Sequence, residues 1–319
     1  MLRVGILGVG GIAENAHIPA WMRLENTKVV ALCDIRPERL ELVAPKLPDA
    51  HTYTSFDDMM TAEKLDILDI CLPSYLHAAY SIRALEAGVH VLCEKPVSLC
   101  EEDVTRIYAA AEKANRRFMV AHVIRFWPEY LLLKNLYETE KYGKLLSGSM
   151  HRLSAIPQWS WDNWMADEKR SGLVPYDLHI HDLDFLLFAF GAPKNTVMHR
   201  VKRLDQDYVD NLYEYDDFFI HAEAAWYAGR LPFQSGFRFQ FERAVVVYAD
   251  NAMKVYDTEG NVINMTETAG QADGELQLPQ SDGYFNEIQY FVQCVEQDKE
   301  TDIVRPDELR TAIRLLNRM

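Results

Sequence analysis

Cysteine is scarce in this chain and nowhere forms a C-x-x-C pair. The five residues, Cys33, Cys71, Cys93, Cys100 and Cys294, are scattered and odd in number. Three of them lie in apolar, strand-like runs ("VVALCD", "LDICLP", "HVLCE"), where cysteine acts as a small buried hydrophobe. This pattern argues against a disulfide framework or a zinc cluster and points to a reducing cytoplasm. Long apolar runs are missing too. The most apolar segment, "FLLFAFGA", is far too short to span a bilayer, and because "MLRVGILGVG" reads directly as a strand, no signal peptide is expected. Basic residues are outnumbered, 33 Lys and Arg against 48 Asp and Glu, for a net charge of -15. Such a surface disfavours nucleic acid and anionic membranes as partners. No internal repeat, low-complexity tract or long linker is visible. What remains is an ordinary soluble composition, 49% apolar and 25% charged, in 319 residues. That suits a protein of two domains, or one large one, whose partner is a small molecule.

Short apolar runs alternate with amphipathic stretches through the first third of the chain. Strands are expected at 3–8, 28–34, 65–73, 89–94 and 117–122, and helices at 11–24, after Arg36, at 77–87 and at 100–115. This βαβαβ order predicts a doubly wound parallel sheet of the Rossmann type in residues 1–121. Residues 122–319 read as an α+β domain. It should have a mostly antiparallel sheet of aromatic and β-branched strands between about 195 and 265, with helices at its end.

The first strand runs into "GVGGIA", a G-x-G-x-x-A fingerprint with Gly8 and Gly10, and with Gly11 and Ile12 in the same turn. Glycines there let the backbone approach a pyrophosphate at the start of a helix. Asp34 closes the second strand some two dozen residues on, where a carboxylate accepts the adenosine-ribose hydroxyls. The expected cofactor is therefore NAD. NADP is the alternative, because Arg36 and Arg39 follow closely.

In "PYDLHIHDLDF" (175–185), Asp177 and His181 are four residues apart and share one helical face, with Asp184 and Phe188 extending the stripe. His179 lies about 200° round from Asp177, so the two histidines do not converge as metal ligands would. A polar helix stripe and a catalytic pair both fit this spacing, and no metal is expected.

With "CLPSYLH" (71–77), "CEKP" (93–96), "VIRF" (123–126) and "SGLVPYDLHIHDLD" (171–184), the chain resembles the glucose-fructose oxidoreductase / inositol dehydrogenase / MocA-like family over nearly its whole length. The resemblance implies NAD(P)-dependent redox chemistry on sugars, sugar derivatives or cyclic polyols. It also implies an open second-domain sheet that often serves oligomer contacts, hence a homodimer or homotetramer. Glu94, Lys95 and Pro96 would line the nicotinamide end, and Leu72, Pro73, Ser74 and His77 would pass beside the cofactor.

His181 is then the expected general acid/base, since histidine, with a pKa near about 6.5, suits proton transfer at neutral pH. Asp177 would orient the imidazole or hold the substrate hydroxyl. Lys95 would polarise the reacting oxygen, and the base role stays open between Lys95 and His181. Arg125, Trp164 and His179 are candidate substrate contacts, Trp164 as a sugar-stacking wall. The chain departs from the family pattern by keeping only Gly172 of the usual glycines, by placing Pro175 within the run, and by carrying His179 where glycine is usual. Two other functions remain in view: redox-neutral NAD-dependent glycoside hydrolysis, and a dinucleotide-binding regulator without catalysis.

Overall fold

Strand β1 (Leu2–Leu7) buries its last four residues in succession, as a strand covered on both faces must. It pairs in parallel with β2 (Thr27–Cys33) and β4 (Ile67–Ile70). Strands β3 (His51–Tyr53), β5 (His90–Glu94) and β6 (Phe118–Ala121) complete a sheet of order β3-β2-β1-β4-β5-β6. The order reverses beside β1, so a crevice opens past the carboxyl ends of β1 and β4, where doubly wound sheets bind their ligands. Expected cofactor residues lie at or just past strand ends: Gly8 after β1, Asp34 after β2, Leu72 after β4, and Glu94 closing β5 with Lys95 after it. Sequence pattern missed β3 and the helix Phe56–Ala62. With only three residues, mostly exposed at the sheet edge, β3 has no apolar run to betray it.

The computed structural model describes residues 1–265 and 282–319. Among these, one compact unit comprises Met1–Val123 with Asp282–Arg310, and the other comprises residues 124–265 with Thr311–Met319. The boundary expected from the sequence ran once, between 121 and 122. The helix Gly283–Glu296 groups with the first unit because it buries Ile288, Phe291 and Val292 and packs against the helix Ile18–Met22 and β5.

The second unit is built on β7 (Leu145–Ala155), β8 (Asn195–Arg203), β9 (Gln206–Glu214), β10 (Phe219–Tyr227), β11 (Gln234–Phe241), β12 (Ala244–Ala249), β13 (Ala252–Asp257) and β14 (Val262–Asn264). Their order is β14-β13-β12-β11-β7-β10-β9-β8, and only the β7–β10 pair is parallel. Burial alternates strictly along β9, so one face of the sheet is covered and the other open. The helices Pro128–Glu138 and Ile180–Phe190 supply the covered face, with Tyr130 edge-on to Phe185 and Phe237.

Candidate active site

In the first unit the fingerprint turn is shaped by its glycines. Gly8 has φ +89°, and a Cβ there would lie 2.7 Å from the carbonyl oxygen of Cys71, so β1 and the start of the "CLP" segment touch backbone to backbone. A Cβ on Gly10 would meet nothing within 4 Å, which is the open ground a phosphate needs. Gly11 and Ile12 are half-buried just beyond it, and Glu14 N–H donates to Gly10 O at 3.0 Å as the helix begins. Asp34 holds the turn from the side, its Oδ2 accepting the Val9 N–H at 3.0 Å. These residues fit a dinucleotide.

His77 joins the two loops expected beside the cofactor. Its Nδ1 is 2.6 Å from Pro96 O and its Nε2 is 2.7 Å from Leu72 O. Burial lowers its pKa, against the two carbonyls that favour the proton. Ser74 is buried in the same segment, while Leu72 and Pro73 are half-buried.

Sequence reasoning missed the residues that organise this end of the sheet. His17, wholly buried in a π-helical turn (Ala13–His17), directs Nδ1 to Asp69 Oδ2 and Nε2 to Glu94 Oε1, each at 2.9 Å. Trp21 Nε1 donates to Asp69 at 2.7 Å, and Glu94 Oε2 accepts the Lys95 N–H at 3.0 Å. Burial alone would lower the His17 pKa, but Asp69 raises it well above its ordinary value. Both nitrogens face carboxylates and both donate, so His17 is an imidazolium. Cys71 lies close enough to complete a His17–Asp69–Cys71 ligand group for a metal. A doubly donating imidazole offers no lone pair, however, and burial, then Asp69, pushes the Cys71 thiol up to about 12. The cluster is an ionic hydrogen-bond network. The available signal was Asp69 itself, a lone carboxylate inside an apolar strand, which needs a buried partner.

In the second unit, Gly172 ends the short helix Glu168–Ser171 at φ +73°, and a Cβ there would come 2.3 Å from the Tyr176 ring. Both facts explain why this glycine is kept. The next segment runs as a π-helical turn (Pro175–His179) into the helix Ile180–Phe190. Along 175–190 only Asp177, His181, Phe188 and Phe190 are less than fully buried. The expected stripe is therefore present, except that Asp184 is withdrawn from it.

Asp184 instead pairs with Arg125: Nε to Oδ2 at 2.8 Å and Nη2 to Oδ1 at 2.7 Å, with both side chains inaccessible. Arg125, expected to meet substrate or cofactor, spends its planar fork on this ion pair and lies over the Phe188 ring. His179, the other unusual residue, is also wholly buried. Its Nε2 accepts from the Tyr213 hydroxyl at 2.6 Å and from Asn211 Nδ2 at 2.9 Å. Burial, then the Arg152 charge, lowers its pKa to about 3, so the ring is neutral. Its role is packing against β9. Trp164 packs against a core cluster containing Met165, Leu178 and Trp226, while Trp159 and Trp161 are the exposed tryptophans of that loop.

Residues 2–122 match the family described as "Oxidoreductase family, NAD-binding Rossmann fold", and residues 130–263 match the GFO/IDH/MocA C-terminal domain. The chain belongs to the GFO/IDH/MocA family. Its first unit is the family's NAD-binding Rossmann domain. Among curated relatives, D-glucoside 3-dehydrogenase of Escherichia coli K12 is 27% identical over 192 residues, covering 60% of this chain and 55% of the relative. Inositol 2-dehydrogenase of Salmonella paratyphi B is 26% identical over 204 residues, covering 61% and 56%. The chain thus spans little more than half the length of these curated relatives. A solved levoglucosan dehydrogenase, in complex with NADH and levoglucosan, superposes with a TM-score of 0.84 at 18% identity, covering 99% of this chain and 95% of that one. At that identity the likeness is one of fold. Among the described residues, no helix is long and apolar enough to cross a membrane.

Proposed function

We propose that this chain is an NAD-dependent dehydrogenase of secondary alcohols in sugars, sugar derivatives or cyclic polyols, with Lys95, Asp177 and His181 as its catalytic residues. The observation that carries the reading is the pairing, in one chain, of a family NAD-binding domain with a helical segment, 175–190, on which Asp177 and His181 are only half-buried. Its other charged groups, Asp182 and Asp184, are buried with Arg152 and Arg125.

Bound NAD supplies a hydride acceptor. The chain's own residues bind the alcohol, hold it in line and move its proton. His181 takes the hydroxyl proton, Asp177 orients the imidazole or the substrate, and the Lys95 ammonium stabilises charge on the oxygen as hydride leaves carbon. His17 and Glu94 hold the Lys95 backbone through the bond from Lys95 N–H to Glu94.

A small molecule is the partner, and copies of the chain assemble through the open sheet face, where Val201, Phe219 and Tyr256 are exposed. Five free cysteines, four of them buried, suit the cytoplasm. The test is nicotinamide absorbance with NAD and a panel of aldoses, inositols, sugar acids and glycosides, with Lys95→Ala as control. Reduction with one class, absent in the variant, supports the dehydrogenase. Glycoside cleavage without net NADH would favour the redox-neutral hydrolase, and nucleotide binding with no turnover would favour the regulator. Light scattering tests the assembly.

A further inference from the structure

Asp34 does not present a bare carboxylate at the end of β2. Its Oδ1 accepts Arg36 N–H and Arg36 Nε, each at 3.0 Å, and its Oδ2 accepts Arg36 Nη2 at 3.1 Å besides the Val9 N–H. The two side chains form a neutral couple. Asp34 is nearly sealed at 5% exposure and Arg36 lies over it at 22%.

The nearby Arg39 is committed elsewhere. Its guanidinium donates to Val9 O at 2.8 Å and to Glu14 Oε2 at 2.7 Å, and Lys46 holds the other Glu14 oxygen. Arg39 thus braces the fingerprint turn, sharing the Glu14 carboxylate with Lys46. Of the two arginines after β2, only Arg36 is coupled to the ribose-reading carboxylate.

A lone acidic residue at this position accepts the ribose hydroxyls and repels a 2′-phosphate. Here the repulsion is largely cancelled by the guanidinium bound to the same carboxylate. Arginine's planar fork also matches phosphate oxygens. We propose that the Asp34–Arg36 couple lets this chain bind both NAD(H) and NADP(H), with Arg36 the residue that reads the 2′-phosphate. For the unphosphorylated cofactor, Arg36 swings away and Asp34 accepts the 2′-hydroxyl. For the phosphorylated one, Arg36 turns its fork to the phosphate while Val9 N–H retains Asp34.

The inference rests on the dinucleotide site of the first unit and needs no assumption about the substrate. It is tested by fluorescence titration of the full chain with NADH and NADPH, separately, for wild type, Arg36→Ala and Arg36→Lys. The expected wild-type dissociation constants differ by no more than about tenfold, and Arg36→Ala shifts their ratio toward NADH by at least about tenfold, the worth of one charge-assisted contact. Arg36→Lys recovers part of the shift, and higher salt weakens NADPH more than NADH. NADH binding in each variant reports that the turn is folded. Wild type that rejects NADPH, or an Arg36→Ala ratio equal to wild type, overturns the proposal. Binding of neither nucleotide overturns it together with the dinucleotide site itself.

Discussion

The imidazole of His17 stands 2.9 Å from Glu94 Oε1, joining the fingerprint helix to the E-K-P segment. With Asp69 on its other nitrogen it forms a buried triad of two carboxylates and one cation, at the carboxyl ends of β4 and β5.

Removing that cation should be costly. His17→Ala leaves Asp69 and Glu94 buried without their shared partner, and losing one member of such a group costs about 3–5 kcal/mol. Urea denaturation of the variant against wild type checks the loss.

The same triad sets a pH dependence. The folded pKa of His17 lies well above its unfolded value of about 6.5. Its contribution is therefore complete below about pH 6.5 and is lost as pH rises through the folded value. For Glu94, burial alone would raise the pKa, but the His17 hydrogen bond and charge bring it below the ordinary value. Its contribution is present above about pH 4.3 and fades as pH falls through its lowered pKa. Wild type should lose stability from neutral to alkaline pH more steeply than His17→Gln. Urea midpoints between about pH 6 and 9 decide this, and parallel curves would refute it.

Asp184→Ala should destabilise the second unit by about 3–5 kcal/mol, because Arg125 would be left charged in a sealed site. Replacing both residues with leucine should restore much of that loss. Chemical denaturation of single and double variants measures the coupling.

Gly172→Ala should cost on the order of 2–3 kcal/mol, from a left-handed backbone and a clash with Tyr176. The ring is anchored, its hydroxyl donating to Asn317 at 2.6 Å, and so yields poorly. Thermal unfolding reads the stability. Turnover should fall as well, because Asp177 lies on the displaced segment.

Lys95→Ala and His181→Ala should each lower kcat by about 10²–10⁴-fold on the substrate found by the panel, the range of a lost acid/base or charge-stabilising group. NADH titration of the same variants separates this loss from loss of cofactor. A variant that keeps full turnover removes its residue from the mechanism.

Periodicity and punctuation in the chain were sufficient for the alternation of strands and helices, the glycine turn at Gly8 and Gly10, the carboxylate at Asp34, and the Asp177–His181 stripe. These are local properties, set by side-chain period and by backbone freedom over a few residues. Which polar residues are partners could not be read that way. Asp69 and Glu94 meet His17 only because parallel pairing brings β4 and β5 side by side beneath the first helix. Arg125 and Asp184, 59 residues apart, pair only once their helices share one core. Spacing set His179 on a different face from Asp177, but only the fold shows that this face is buried, where Tyr213 and Asn211 claim the ring. The period of a helix tells which residues share a face. Burial and the need to satisfy every enclosed charge, set by the whole fold, decide which of those faces is left for chemistry.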